Sequence, residues 1–257
     1  THSARWLVDD AHRRQLVQAR LKVAQAVEAG HLVLVFADGR RIDVAPNPRG
    51  YASLGAMFWL LSAFAMVLFL VGWIVPLVQP HFRNVLYAVM ALAQAGELLL
   101  AAVGSVPALT LPSALVLREH TVLTLLDLVT GAAIVHSTAV HPLRLRWTGL
   151  PLLLAWGATA EFAFSVVTLG NPHAWWWPQS LLLLDGAIAI AFLTWSHHLK
   201  MHPFAVVMRR FGMVTVAALA LLTLAVSLVP HMPPDVQPMA AVGPVIWSVF
   251  FASVVLM

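Results

Sequence analysis

Five acidic residues lie inside long apolar segments of this sequence. They are Glu97, Glu119, Asp127, Glu161 and Asp185. Arg118 and His120 lie beside Glu119 in the same apolar segment. An ionisable group costs about 3 kcal/mol within a bilayer, so such residues mark a functional site by default. They predict a polar intramembrane site that binds a small ligand, a proton or a cation.

The depths of these residues agree with one another. A rise of about 1.5 Å per residue places Glu97, Glu119, Glu161 and Asp185 about 10 Å from the same end of four consecutive segments. Helical spacing also groups polar residues on single faces, such as Glu161, Ser165 and Thr168, and we expect these faces to point into a bundle. We therefore predict that Glu97, His120, Glu161 and Asp185 converge. In the alternative, each acid pairs separately with a neighbour such as Arg118 and only holds helices together.

The sequence assigns no catalytic residue and no metal site. Carboxylates together with His120 could bind a metal, but their spacing matches no strong ligand motif. There is no phosphate-binding glycine loop, no nucleophile elbow and no zinc-protease helix. Cysteine is absent from the chain, which excludes thiolate ligands and disulfides. The identity of any cofactor, lipid or pigment is left open.

Composition indicates an integral membrane protein of the all-α class. Apolar residues form 60% of the chain and charged residues 10%, whereas soluble domains carry about 25% charged residues. A spanning helix needs about 20 apolar residues. Seven segments meet that requirement: 53–78, 84–104, 112–140, 147–169, 177–199, 211–229 and 239–257.

The positive charges between these segments predict an orientation. Arg83 follows the first segment, Arg144 and Arg146 the third, and Lys200 with Arg209 and Arg210 the fifth. The connections after the second, fourth and sixth segments carry no Lys or Arg. By the positive-inside rule, the basic connections are cytoplasmic. We expect a bacterial inner-membrane protein with its N-terminal segment outside and its C-terminal end in the cytoplasm.

Residues 1–50 form a polar segment distinct from the seven-helix domain at 51–257. Apolar spacing predicts an amphipathic helix from Ala4 to Ala29. Two short apolar runs flank Asp38-Gly39, a pair typical of a β-hairpin turn. This helix and hairpin are too small for an independent core and are expected to complete a larger extracytoplasmic domain. We expect the chain to be an excerpt of a longer protein.

Three stretches resemble the membrane region of proteobacterial sensor histidine kinases that carry an extracytoplasmic PDZ-like domain. They are FADGRRIDVAPNPRGYASLGAMFWLL, NVLYAVMALAQAGELL and DLVTGAAIVHSTAVHPLRLR. The resemblance covers about residues 30–146 and includes no phosphoacceptor or ATP-binding motif, so it transfers no catalytic residue. It implies a region that senses a stimulus and transmits a signal to cytoplasmic domains.

Two other functions remain open from the sequence. One is a non-catalytic accessory or anchoring subunit of a larger membrane complex, and the other is a transporter or intramembrane enzyme. The partners compatible with the sequence are the lipid bilayer, a small ligand, other membrane subunits and a second copy of the chain in a homodimer. Nothing in the sequence indicates nucleic-acid binding.

Overall fold

The structure is a computed structural model that describes residues 9–30, 32–45, 50–106, 111–169 and 175–228. It is mainly helical. The elements in chain order are α1 (Asp10–Glu28), β1 (Leu32–Val35), β2 (Arg41–Val44), a short 3-10 helix (Tyr51–Leu54), α2 (Gly55–Val78), α3 (Phe82–Gly104), α4 (Ser113–Val140), α5 (Gly149–Leu169), α6 (Trp176–Leu199) and α7 (Pro203–Leu228). The seventh predicted span, 239–257, lies outside the described residues, as do residues 4–8 of the predicted first helix.

Six helices, α2 to α7, are long and apolar enough to cross a bilayer. Five agree closely with the predicted segments, but α7 begins earlier than expected, at Pro203 instead of 211. Proline is favoured in the first turn because its missing N–H would have no helical partner there. Arg209 and Arg210 therefore lie within α7 and not in the connection that precedes it.

The polar segment begins with α1, whose ends follow simple capping rules. Asp9 caps the helix by accepting the backbone N–H of Ala11 at 2.8 Å. Gly30, with a φ of 80°, follows the last turn in the left-handed conformation that glycine tolerates.

Strands β1 and β2 pair antiparallel, with Leu32 opposite Val44 and Val35 opposite Arg41. The turn between them differs from the tight two-residue type. The backbone N–H of Gly39 donates to the carbonyl of Phe36 at 2.9 Å, and the N–H of Phe36 donates to Arg40 at 2.9 Å. In the described residues of this turn, only Gly39 has a positive φ, of 81°. This pattern is typical of a three-residue loop that places glycine in the left-handed position.

Helix α4 is the centre of the bundle. It packs against α1, α3, α5 and α6, while α2 packs on α3 and α7 packs on α6. A glycine lies at each of four helix contacts: Gly72 between α2 and α3, Gly96 between α3 and α4, Gly131 between α4 and α6, and Gly186 between α6 and α7. Small residues let helix backbones approach closely in membranes, where lipid offers no hydrophobic contrast. These glycines explain how apolar helices of similar composition pack in one order.

One end of the bundle contains the three basic connections, which follow α2, α4 and α6. Ring contacts tie the helix ends there together: Phe82 with His136, Tyr87 with His141, and His141 with Phe204. We call it the basic end; it includes the start of α3, the end of α4 and the start of α7. Helix α1 contacts the opposite end of α4, where Glu28 accepts the backbone N–H of Ser113 at 2.8 Å.

Candidate functional site

A cleft of about 420 Å³ lies among α3, α4, α6 and α7. Helices α4 and α6 pack together and form its floor, while α3 packs on α4 and α7 packs on α6 to form its walls. We call this space the α3–α7 cleft. Phe211 lines the cleft yet is 52% exposed, so the α7 wall does not close it. Its size is within the range of small-molecule sites.

Four helices line the cleft, each with one stripe of residues, and α4 and α7 contribute the longest stripes. On α4 the stripe consists of Asp127, Thr130, Gly131, Ile134, Ser137, Thr138 and His141. On α7 it consists of Phe204, Met208, Phe211, Gly212, Thr215, Val216 and Leu219. Steps of three and four residues keep a stripe on one helix face. The cleft therefore runs along the helices and does not cross them.

Polar groups gather at the end of the cleft away from the basic end. Gln94 and Asp127 line the cleft there, and Gln94 Nε2 donates to Glu97 Oε1 at 3.0 Å. The hydroxyl of Thr130 is buried and has no hydrogen-bond partner in the described part of the chain. Such an orphan group costs free energy unless a ligand or water satisfies it.

Asp185 is buried directly behind this polar end. The residue is only 4% exposed. It packs on Gly131, and a Cβ atom added to that glycine would lie 2.7 Å from Oδ2 of Asp185. Gly131 lines the cleft, whereas Asp185 lies behind Gly131 and does not line it. The polar end of the cleft is therefore surrounded by three acidic residues from different helices: Asp127, Glu97 and Asp185.

Glu119 belongs to a separate contact. Its Oε2 accepts from Arg20 Nη1 on α1 at 3.1 Å, and the pair is partly buried. Glu119 lies about 9 Å along α4 from Ser113, which Glu28 of the same α1 contacts. The two contacts fix α1 antiparallel to α4. No local sequence pattern pairs residues separated by 99 positions, and the sequence prediction missed Arg20.

The structure does not bring Glu161 to the polar end of the cleft. Its side chain is exposed on α5, whereas Thr159, Phe162 and Ser165 are buried. The buried face of α5 is therefore rotated from the face expected, because hydropathy fixes a segment's depth but leaves its rotation free. Thr168, expected on the same inner face, is also exposed.

Arg118 and His120 flank Glu119 but occupy different environments. Arg118 is exposed, so it does not neutralise the interior acids. Both ring nitrogens of His120 are buried. His120 thus remains an interior residue near the α1 contact, outside the lining of the cleft.

The basic end of the cleft contains aromatic and imidazole rings. Tyr87 and His141 line it, and the His141 ring contacts those of Phe204 and His202 at centroid distances of 4.6 and 6.4 Å. His136 is held nearby, because Trp156 Nε1 donates to its Nδ1 at 3.2 Å. Tyr87 was not among the predicted site residues; its only sequence signal is a lone tyrosine within an apolar segment.

The arrangement supplies a ligand-sized space without an evident reaction centre. Among the described residues, no group of three or more His, Cys, Asp or Glu side chains could hold a metal ion. Comparison with known protein families, curated proteins and solved structures finds no match to this chain. The cleft combines an apolar wall, a polar end with an unsatisfied hydroxyl, and aromatic and imidazole rings at the basic end.

Proposed function

We propose that the chain is the membrane-embedded sensor and signal-transmitting region of a two-component histidine kinase in a bacterial inner membrane. One observation carries the proposal: α4 bears both the contact with α1, through Glu119, and the polar wall of the cleft, through Asp127. The two positions are about 12 Å apart on one continuous helix. A shift of this helix would change both sites together.

Signal transmission requires two arrangements of the bundle that bind a stimulus with different affinities. The α1 contact could change between two such arrangements, because it consists of only two polar contacts and a short packed stripe. The cleft could also change between them, because its two walls, α3 and α7, pack on different helices of the floor. In this proposal α1 lies outside the cytoplasm and the basic end lies inside.

An accessory or anchoring subunit is the second candidate. Helix α2 favours it, because only Ala65 and Gly72 of its 24 residues are buried. Its remaining apolar surface could contact another subunit. Lipid would cover the same surface equally well, however, so α2 supports this function less strongly than α4 supports the first.

The coding sequence downstream of Met257 separates the two candidates. A dimerisation helix with a phosphoacceptor histidine, followed by an ATP-binding domain, is expected for the kinase. A stop codon soon after Met257 would instead favour the accessory subunit and overturn the kinase proposal.

Autophosphorylation of the full-length protein in nanodiscs then tests transmission. Glu119→Gln weakens the pair with Arg20, so the phosphorylation rate should change while membrane insertion does not. Arg118→Gln is the matched control, since Arg118 is the exposed neighbour. The charge-swapped double variant Arg20→Glu with Glu119→Arg should restore the wild-type rate. Equal rates in all four proteins would exclude α1 from transmission.

A further inference from the structure

We propose that the α3–α7 cleft binds a single-chain anionic amphiphile, with its hydrocarbon chain along α4 and its acidic head at the basic end. The shared chemistry is that of a long-chain carboxylate or of one acyl chain of an anionic phospholipid. The inference deepens the proposed sensor function and rests on it only for the role of the ligand, since binding itself can be measured independently.

The shape of the cleft is the first argument. Its α4 stripe runs from Asp127 to His141, a distance of about 21 Å along the helix. The cleft, with a volume of about 420 Å³, is therefore elongated along the helices. An elongated apolar space of this kind suits one extended hydrocarbon chain better than a compact ligand.

The surface of the cleft is the second argument. Between its ends it is lined by aliphatic residues such as Ile134, Ile190 and Leu193. The hydroxyls of Ser137 and Thr138 line it too, but both donate to the backbone carbonyl of Ile134 at 2.9 to 3.0 Å. These polar groups are already satisfied by their own helix, so a ligand chain can pass them without breaking a hydrogen bond.

Access to the cleft is the third argument. Phe211 and Thr215 line the cleft and are exposed. Both lie on α7, a helix long and apolar enough to span a membrane. The opening therefore faces the hydrocarbon of a bilayer, from which an amphiphile can enter sideways without crossing water.

Charge at the basic end is the fourth argument. Arg83 is close enough to Tyr87 and His141, which line the cleft, to interact electrostatically with both. The described segments that form this end, 79–93, 134–148 and 190–212, contain no Asp or Glu. A carboxylate or phosphate there would meet only neutral or positive side chains, and basic residues at a membrane surface attract anionic headgroups.

Photolabelling of the full chain in phosphatidylcholine nanodiscs tests the proposal. The probes are hexadecanoic acid with a mid-chain diazirine, its methyl ester, and phosphatidylglycerol carrying the same labelled chain. Labelled peptides should map to the cleft faces of α4, α6 and α7. The acid should label about fivefold more than the ester, as one basic residue near a membrane surface provides. Labelling by the free acid alone identifies a fatty acid, and labelling by both anions includes the phospholipid.

A variant that blocks the cleft and a control variant at the adjacent residue test the same site. A Cβ at Gly212 would make only an ordinary contact of 3.4 Å with Ile190, so Gly212→Phe can project into the cleft without disturbing the packing. It should reduce cleft labelling to the level of the exposed helix α2. Met213→Phe is the matched control, because Met213 is exposed and does not line the cleft. It should label like wild type.

Arg83→Gln should remove the preference for the acid over the ester, and Arg118→Gln, an exposed arginine at the opposite end of α4, should keep it. Equal labelling of the cleft and α2 in wild type would overturn the proposal. Cross-linking of a photoreactive side chain at position 208 to residues 239–257 would also overturn the proposal, because the chain itself would then occupy the cleft. These readouts need no kinase output, so specific labelling without signalling would refute the sensor function and retain the site.

Discussion

Gly131 on α4 and Asp185 on α6 are in direct contact, and a Cβ atom added to Gly131 would lie 2.7 Å from Oδ2 of Asp185. The contact places a buried carboxyl against backbone at the centre of the bundle. It also links the floor of the cleft to its polar end, since Gly131 lines the cleft. The absence of a side chain at position 131 is therefore a condition for the observed packing of α4 on α6.

Gly131→Ala should lower the stability of the bundle by about 1–3 kcal/mol, the usual cost of forcing extra atoms into a packed interface. Thermal unfolding in a mild detergent measures the effect. Gly157→Ala on α5 is the control, because a Cβ there meets nothing within 4 Å. Combining Gly131→Ala with Asp185→Ala should recover part of the loss. Additive losses in the double variant would contradict direct contact.

The turn between β1 and β2 should depend on Gly39. A residue with a Cβ in its left-handed conformation costs about 1–2 kcal/mol, so Gly39→Val should loosen the β1–β2 pair and leave the spanning helices inserted. Hydrogen exchange at the amides of Phe36 and Gly39, both donors in the turn, measures the loss. Gly104→Ala is the control, because Gly104 has no positive φ and open space around it. Unchanged protection in Gly39→Val would exclude this turn.

The N-terminus of α1 should weaken in acid. The pKa of Asp9 lies below its ordinary value because its carboxylate accepts the backbone N–H of Ala11 and then contacts His12. Since the folded-state pKa is depressed, the cap stabilises α1 above the unfolded pKa of about 4 and is lost as pH falls through the folded value. The protection of the Ala11 amide against hydrogen exchange, relative to its intrinsic rate at each pH, should fall at low pH. Asp9→Asn, which caps without titrating, should remove that pH dependence; if it does not, another group is responsible.

The proposed orientation predicts the outcome of reporter fusions. Fusions after Pro48 and after Lys200 are separated by five spans, α2 to α6, and should report opposite sides of the membrane. A third fusion after Gly104 follows two spans and should match the first. By the positive-inside rule, the fusion after Lys200 is the one expected to report the cytoplasm. Reporters after Pro48 and Lys200 on the same side would remove one helix from the set of spans.

The sequence determined the local features of this protein. Apolar runs of about 20 residues predicted five of the helices within a few residues, because the length needed to cross a bilayer and the intrahelical satisfaction of backbone groups leave little freedom. The start of α7 was misplaced because the basic pair Arg209 and Arg210 interrupts the apolar pattern inside the helix.

Only the tertiary structure decided how the helices rotate and which distant residues meet. Rotation turned Glu161 outward and Ser165 inward, although a helical pattern had grouped them on one face. Long-range packing joined Arg20 to Glu119 and seated Asp185 on Gly131. The physical reason is that lipid is as apolar as the side chains facing it, so hydropathy does not distinguish the inner face of a spanning helix from its outer face. Close contacts at glycine and pairing of polar groups make that choice, and both depend on the partner helix.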